Sequence, residues 1–409
     1  MRRRRVLVSA YACEPGKGSE PGAGWLWALA ASRTSDVWVL TRANNRPAIE
    51  ADPASASPSL HFVYVDLPRW ARAWKRPGRG IRLYSALWQL AARREARRLH
   101  ERELFDVVHH VTFANLWLPA LACAVEAPFV LGPVGGGQRV ARAHYPALGA
   151  RGVAKEQALL VARRIARVNP LVTVAWRRAA LILLNNRETA SELPAGPRAR
   201  TELRPGGCVE DLEPAPPTAP GEPPTAVYAG RLHRFKGVHL AVRAVAELPH
   251  WRLRVAGGGS QLGSLRRLAS ELGVDGRVEF HGRLEQPELW RLMREADVFL
   301  LPSFKEGGGM AVVEAAALGL PVVGFDGGGT AAVAEFYPEA RFELVQPEES
   351  YRGLASALAR LGKRRAAGPR VDAGLDGLAR DLDRFYRRVD GRAAPSEPTV
   401  TSTYAGRVP

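Results

Sequence analysis

Cysteine is scarce in this chain of 409 residues: Cys13, Cys123 and Cys208 are odd in number and far apart. With no Cys-x-x-Cys spacing, they exclude a disulfide framework and a cysteine-based zinc site, and they suit a reducing compartment. Long apolar runs are missing too. No stretch of 18 apolar residues occurs, so no transmembrane helix is expected. The opening MRRRRVLVSAYACEPG is basic, but its apolar run before Tyr11 is too short for a signal-peptide core. A cytoplasmic protein is the expectation. No internal repeat is evident at a period of 20 to 50 residues, which sets aside solenoids and propellers.

Negative charge is deficient in one half only. Residues 1 to 205 hold 32 Lys or Arg against 15 Asp or Glu, whereas residues 206 to 409 hold 26 against 26, so the net charge of +17 lies wholly in the first half. Such a lobe suits an anionic partner: a membrane surface or an acidic acceptor before nucleic acid. An arginine-rich solvated surface is the plainer alternative. The length points to two domains, and a hydrophobic content of 46% supplies apolar area for two cores.

The stretch SFKEGGGMAVVEAAALGLPVV (303 to 323) follows the apolar run ADVFLLP and precedes GFD. It reads as strand, glycine turn, helix and strand, one parallel βαβ unit. A glycine turn there lies beyond the carboxyl end of a strand, where open α/β sheets place ligands, and the helix start favours an anion. Glu306 would repel phosphate but suits sugar hydroxyls, and Glu314 suits the diol of a ribose. Upstream, TAVYAGRLHRFKG (225 to 237) brings Arg231 and Lys236 to a second glycine turn, and two cations at a helix start form a diphosphate site.

These motifs resemble glycosyltransferase family 4, the retaining GT-B enzymes with an E-x7-E motif and an upstream GRL-x-x-x-KG. The loop YACEPGKGSEPGAGW (11 to 25) resembles that of a subgroup with the pattern Y-x-C-E-P-G-x-G-S-E-P-G-x-G-W. As a dinucleotide fingerprint the same loop fails, because residue 21 is proline. The resemblance implies an α/β GT-B fold, two facing Rossmann-like domains with a C-terminal helix crossing back to the first.

It also implies roles. Gly22 and Gly24 would lie against the donor diphosphate, with Gly309, Met310 and Ala311 at the helix start; Gly282, Arg283 and Leu284 would receive the nucleobase. His109, in DVVHHVT, would face the cleft and assist catalysis with Glu306, and His110 would alternate away. Gly135, Gly136 and Gln138, in GPVGGGQ, fall on the acceptor side, and Gln138 stands where the subgroup usually has glutamate. No cofactor or metal is expected; Asp381-x-Asp383 mimics a metal motif but sits within a helical pattern.

The organisation expected is a first domain over 1–205, a proline-rich linker at 206–224, a nucleotide-sugar domain over 225–373, a crossover helix at 374–390 and a disordered tail from 391. Helical spacing of Leu83, Leu87 and Leu90 predicts one packing face, and Trp70, Trp74 and Trp88 among arginines suit a lipid headgroup layer. The function implied is retaining transfer of a sugar from a nucleotide diphosphate, UDP by default and GDP as second choice, to a hydroxyl of a polysaccharide, lipid or secondary metabolite. An inactive partner subunit and a nicotinamide oxidoreductase are the alternatives.

Overall fold

The computed structural model describes residues 2–68, 80–210, 212–216, 222–362, 369 and 371–391. Trp70, Trp74 and all but the first residue of the expected tail lie outside them.

Seven short runs rich in β-branched and apolar residues form the first sheet: β1 (Arg4–Ala10), β2 (Ser35–Arg42), β3 (Leu60–Val65), β4 (Val107–Thr112), β5 (Phe129–Val134), β6 (Ala179–Leu184) and β7 (Thr201–Leu203). Their order is β3-β2-β1-β4-β5-β6-β7, with every pairing parallel. Six more form the second: β8 (Thr225–Ala229), β9 (Arg252–Ala256), β10 (Val278–Gly282), β11 (Val298–Leu301), β12 (Val322–Phe325) and β13 (Phe342–Val345), ordered β10-β9-β8-β11-β12-β13 and again parallel. Parallel strands need helical crossovers, so both faces of each sheet are covered and strands such as β4 and β8 are buried at every residue. Strand order reverses between β1 and β4 and between β8 and β11, the points at which such sheets leave a crevice.

The carboxyl ends of the two sheets face one another. Side chains just after β5 and β6 (Gln138, Asn186) reach the backbone just after β11 (Gly307). The helix Leu375–Val389 returns to the first domain and packs on the helix Ser19–Thr34. Its apolar stripe, Leu378, Leu382 and Phe385, is buried with Val6, Trp25 and Trp27, as the spacing predicts. Each such side chain contributes roughly 1.5–3 kcal/mol as an upper value. Arginines secure its polar side: Arg4 binds Asp383 and Asp390, and Arg204 binds Asp381.

Two local expectations are corrected. The first helix begins at Ser19, inside the stretch read as a loop to Trp25, and takes Pro21, Gly22 and Gly24 into its opening turns. Proline is tolerated there because first-turn N–H groups have no helical partner. In the helix Ile81–Glu103, Leu83 and Leu90 are 59% and 45% exposed, while Tyr84, Trp88, Ala92 and Ala96 are buried. Alanines let this face approach the sheet closely, and they carry too little hydropathy to mark it. Trp88 is therefore unavailable to a membrane; its indole N–H donates to the Val65 carbonyl. Residues 204–209, where the expected linker begins, are all buried, the Val209 N–H donating to the Ala373 carbonyl.

The helix Tyr145–Ala166 belongs to the first domain by sequence but spans the cleft. It is broken at Gly149, whose φ is +74°. Leu148 before the break is buried in the core of the second domain, and Arg234 Nε donates to the Ala147 carbonyl at 2.7 Å.

Candidate active site in the interdomain cleft

At the reversal point of the second sheet, the loop after β8 carries Arg231 and Lys236 and the loop after β11 carries Glu306. Lys236 Nζ lies 2.5 Å from Glu306 Oε2, and both side chains are about 14% exposed. Arg231 is exposed and makes no side-chain hydrogen bond or ion pair among the described residues. Gly237 has to be glycine: φ is +66°, and a Cβ would stand 1.8 Å from the Pro302 carbonyl oxygen, so the cationic loop and the Glu306 loop are pressed together.

Gly309 caps the helix Met310–Ala317 in the left-handed region, φ +60°, with no side chain capping the helix start. The first N–H groups after it are thereby left for a ligand. One turn on, Glu314 is buried and accepts from Gln286 Nε2 at 3.1 Å. Burial pushes its carboxyl up to about 7, and the Gln286 bond offsets part of that. Gln286 begins the helix that follows Gly282, Arg283 and Leu284, so the structure sets Glu314 beside the loop expected to receive the base.

The first domain contributes across the cleft. Asn186 Nδ2 and Gln138 Nε2 both donate to the Gly307 carbonyl, at 2.9 and 3.2 Å. Glu188 accepts from the Gly328 N–H at 2.6 Å, and Lys305 binds Glu156 at 2.8 Å. A cavity of about 210 Å³ lies between the domains, lined by Gln138, His144, Glu188, Lys305, Glu306 and Asp326 among others. A larger one, about 320 Å³, lies against Val209, Asp372 and Asp376 and shares no residue with these groups.

Several expected positions fall elsewhere. His109 does not face the cleft. It is fully buried, with Nε2 2.7 Å from the Gly132 carbonyl and Nδ1 2.8 Å from the Tyr386 hydroxyl. Because a carbonyl only accepts, Nε2 carries the proton and Tyr386 donates to Nδ1. Burial lowers the imidazole pKa to about 3, so it is neutral at working pH. β4 runs three residues beyond His109, and both faces of the sheet are covered, so His110 is equally interior and bonds Ser9 Oγ at 3.2 Å.

Gly22 and Gly24 also face the protein itself: added Cβ atoms would stand 1.8 Å from the Lys17 carbonyl oxygen and 2.1 Å from that of Ala12. They are glycine for close packing, not for an open diphosphate cradle. Gly135 and Gly136 pack on the Asn115–Trp117 loop, Trp117 Nε1 donating to the Gly136 carbonyl at 2.8 Å. Only Gln138 of that trio reaches the cleft. Sequence reasoning missed Asn186, Glu188, Lys305, Glu156 and Gln286; the run NNRE directly after β6, polar residues at a strand's carboxyl end, is the signal that pointed to the first two.

Residues 209–365 match the family described as Glycosyl transferases group 1. The match covers the second domain. Arg231, Lys236, Glu306 and Glu314 all fall inside it, and Gln138, Asn186 and Glu188 outside. The D-inositol 3-phosphate glycosyltransferase of Mycobacterium tuberculosis is 43% identical over 107 residues, 25% of this chain and 22% of that protein, so the match spans about a fifth of the relative's length.

Among solved structures, the chain is similar to sucrose-phosphate synthase from Thermosynechococcus elongatus (TM-score 0.62, 19% identity, 96% of this chain and 100% of that one). It is also similar to Anabaena HepE in complex with UDP and glucose (TM-score 0.54, 16% identity, 93% and 99%). These likenesses establish the fold: the region that matches the group 1 family model is the second half of a two-domain GT-B architecture.

Proposed function

We propose that the chain is a retaining glycosyltransferase of the family 4 type, moving a sugar from a nucleotide diphosphate donor to an acceptor hydroxyl. The observation that carries this reading is the Lys236–Glu306 pair at the strand-order reversal, beside the uncapped start of the helix Met310–Ala317 and one turn from buried Glu314. Cation, helix start and two carboxylates fit the diphosphate, sugar and ribose of one extended ligand.

Departure of the nucleotide diphosphate concentrates negative charge on its phosphate oxygens. Arg231, Lys236 and the N–H groups after Gly309 stabilise that charge without reorganising. Glu306 holds donor hydroxyls, and the acceptor attacks from the face that the diphosphate leaves, a diphosphate oxygen taking its proton. His109 has no part in this scheme; it orients β4 against the crossover helix. No metal is called for: each carboxylate of Asp381-x-Asp383 is already bound by arginine, Asp381 by Arg204 and Asp383 by Arg4 and Arg387.

UDP is the favoured nucleotide, supported by the UDP held by the structurally similar HepE, with GDP second. The acceptor is a hydroxyl of a polysaccharide, lipid or secondary metabolite. The basic half suits peripheral contact with an anionic membrane at its cytoplasmic face. Val161, Ile165 and Val168, 54%, 65% and 80% exposed among Arg164 and Arg167, supply an apolar stripe for such contact. No helix among the described residues is long and apolar enough to cross a membrane.

The deciding experiment is a thermal-shift series with UDP, GDP and NAD, followed by a screen for UDP release from UDP-sugars with and without EDTA. Stabilisation by a nucleoside diphosphate and EDTA-resistant turnover are expected. Stabilisation by NAD alone would overturn the reading.

A further inference from the structure

Glu306 is followed by three glycines, so no side chain on its carboxyl-terminal side can hold the turn in shape; on the other side Lys305 binds Glu156 of the first domain at 2.8 Å. The turn itself is held through its backbone. The Glu306 carbonyl accepts from the Gly329 N–H at 2.8 Å within the same domain, and the Gly307 carbonyl takes its two side-chain donors from the other domain.

Both donors are amides whose orientation is set at home. Asn186 Oδ1 accepts from the Thr189 N–H and hydroxyl at 3.2 and 2.8 Å, which leaves Nδ2 to donate outward. Gln138 Oε1 accepts from the Gly136 N–H at 3.2 Å, and Arg163 holds the Gln138 carbonyl at 2.9 Å, so Nε2 also points at Gly307. Asn186 is fully buried and Gln138 is 5% exposed, so neither bond competes with bulk water.

We infer that Gln138 and Asn186 are positioning residues for Glu306: the first domain sets the shape of the turn through which the second presents its sugar-binding carboxylate. The inference rests on the donor-binding reading above. It also accounts for the amide at position 138. A carboxylate has no proton to give and would face the Gly307 carbonyl oxygen to oxygen, so the glutamate usual in the resembling subgroup would not make this contact. Glu306 is then correctly placed only while these interdomain bonds hold.

The test uses the full-length chain and the substitutions Gln138→Glu, Gln138→Ala and Asn186→Asp, with three readouts. These are backbone amide exchange over residues 304–312, UDP affinity, and UDP release from the best substrate in a panel of UDP-sugars. Loss of one amide donor should speed exchange in the turn about fivefold. Turnover should fall at least as much, with the UDP dissociation constant held within about twofold, because UDP is gripped by other groups.

Asn186 is the more buried, so the Gln138 variants carry the test if Asn186→Asp does not fold. Unchanged exchange in the folded variants overturns the inference. Faster exchange with unchanged turnover overturns the positioning role and leaves the donor site standing. A wild-type chain that neither binds UDP nor releases it from any UDP-sugar overturns the donor reading, and the role given to the turn falls with it.

Discussion

Lys236 Nζ lies 2.5 Å from Glu306 Oε2 across 70 positions of sequence, so the groups assigned to the diphosphate and to the adjoining sugar are paired with one another. The carboxylate therefore competes with phosphate for the Lys236 ammonium.

Different outcomes for the two members of the pair follow. Lys236→Ala removes a charge-assisted bond worth roughly 1.5–3 kcal/mol and should weaken UDP at least about tenfold. Glu306→Ala frees Lys236 from its competitor, so UDP should bind as tightly as in wild type or several-fold tighter while turnover collapses. Calorimetry with UDP decides it: equal weakening in both variants would mean that Glu306 contacts the nucleotide itself.

Glu314 predicts a pH dependence. Its folded pKa, about 7, stands above the ordinary 4.5 because burial penalises the carboxylate. The folded chain thus holds the proton more tightly than the unfolded one, and stability declines as pH rises from 4.5 to about 7, then levels. Glu314→Gln stays neutral and should gain on wild type across that window, by on the order of 3 kcal/mol at its top. Melting curves of the two that run parallel from pH 5 to 8 would refute the assignment.

Tyr386 and His109 make a structural prediction. Tyr386→Phe leaves buried Nδ1 without a donor, at a cost of about 1–3 kcal/mol, and should lower Tm while sparing UDP affinity. His109 adds an acid limit: with a folded pKa near 3, below the ordinary 6.5, it destabilises the chain increasingly as pH falls below 6.5. Should Tyr386→Phe abolish turnover at unchanged stability, His109 belongs to the chemistry after all.

The surface prediction concerns lipid. Basic residues near an anionic surface contribute about 1 kcal/mol each, within a Debye length of about 8 Å at physiological salt. Flotation of the full chain with anionic vesicles should therefore exceed that with neutral ones and weaken as salt rises. Replacing Ile165 and Val168 by serine should reduce it further. No flotation with anionic lipid at low salt would remove membrane contact from the proposal.

Local chemistry was legible in the sequence. Glycine turns between apolar runs announce parallel βαβ units, and Arg231, Lys236, Glu306 and Glu314 are recognisable because each motif lies within one strand–turn–helix unit whose geometry is determined by near neighbours. The amphipathic spacing of Leu378, Leu382 and Phe385 likewise shows a helix with a face to bury. What the tertiary structure decided were relations between distant segments. His109 and His110 alternate along a strand in any reading, but only a sheet covered on both faces makes both of them interior. Gly22 and Gly24 look like an anion cradle until the carbonyls of Lys17 and Ala12 occupy the space that their Cβ atoms would fill. Gln138 reads as a lost carboxylate in sequence and as a required amide in the fold, because its partner is a backbone carbonyl from the other domain, and backbone carbonyls leave no mark on a sequence.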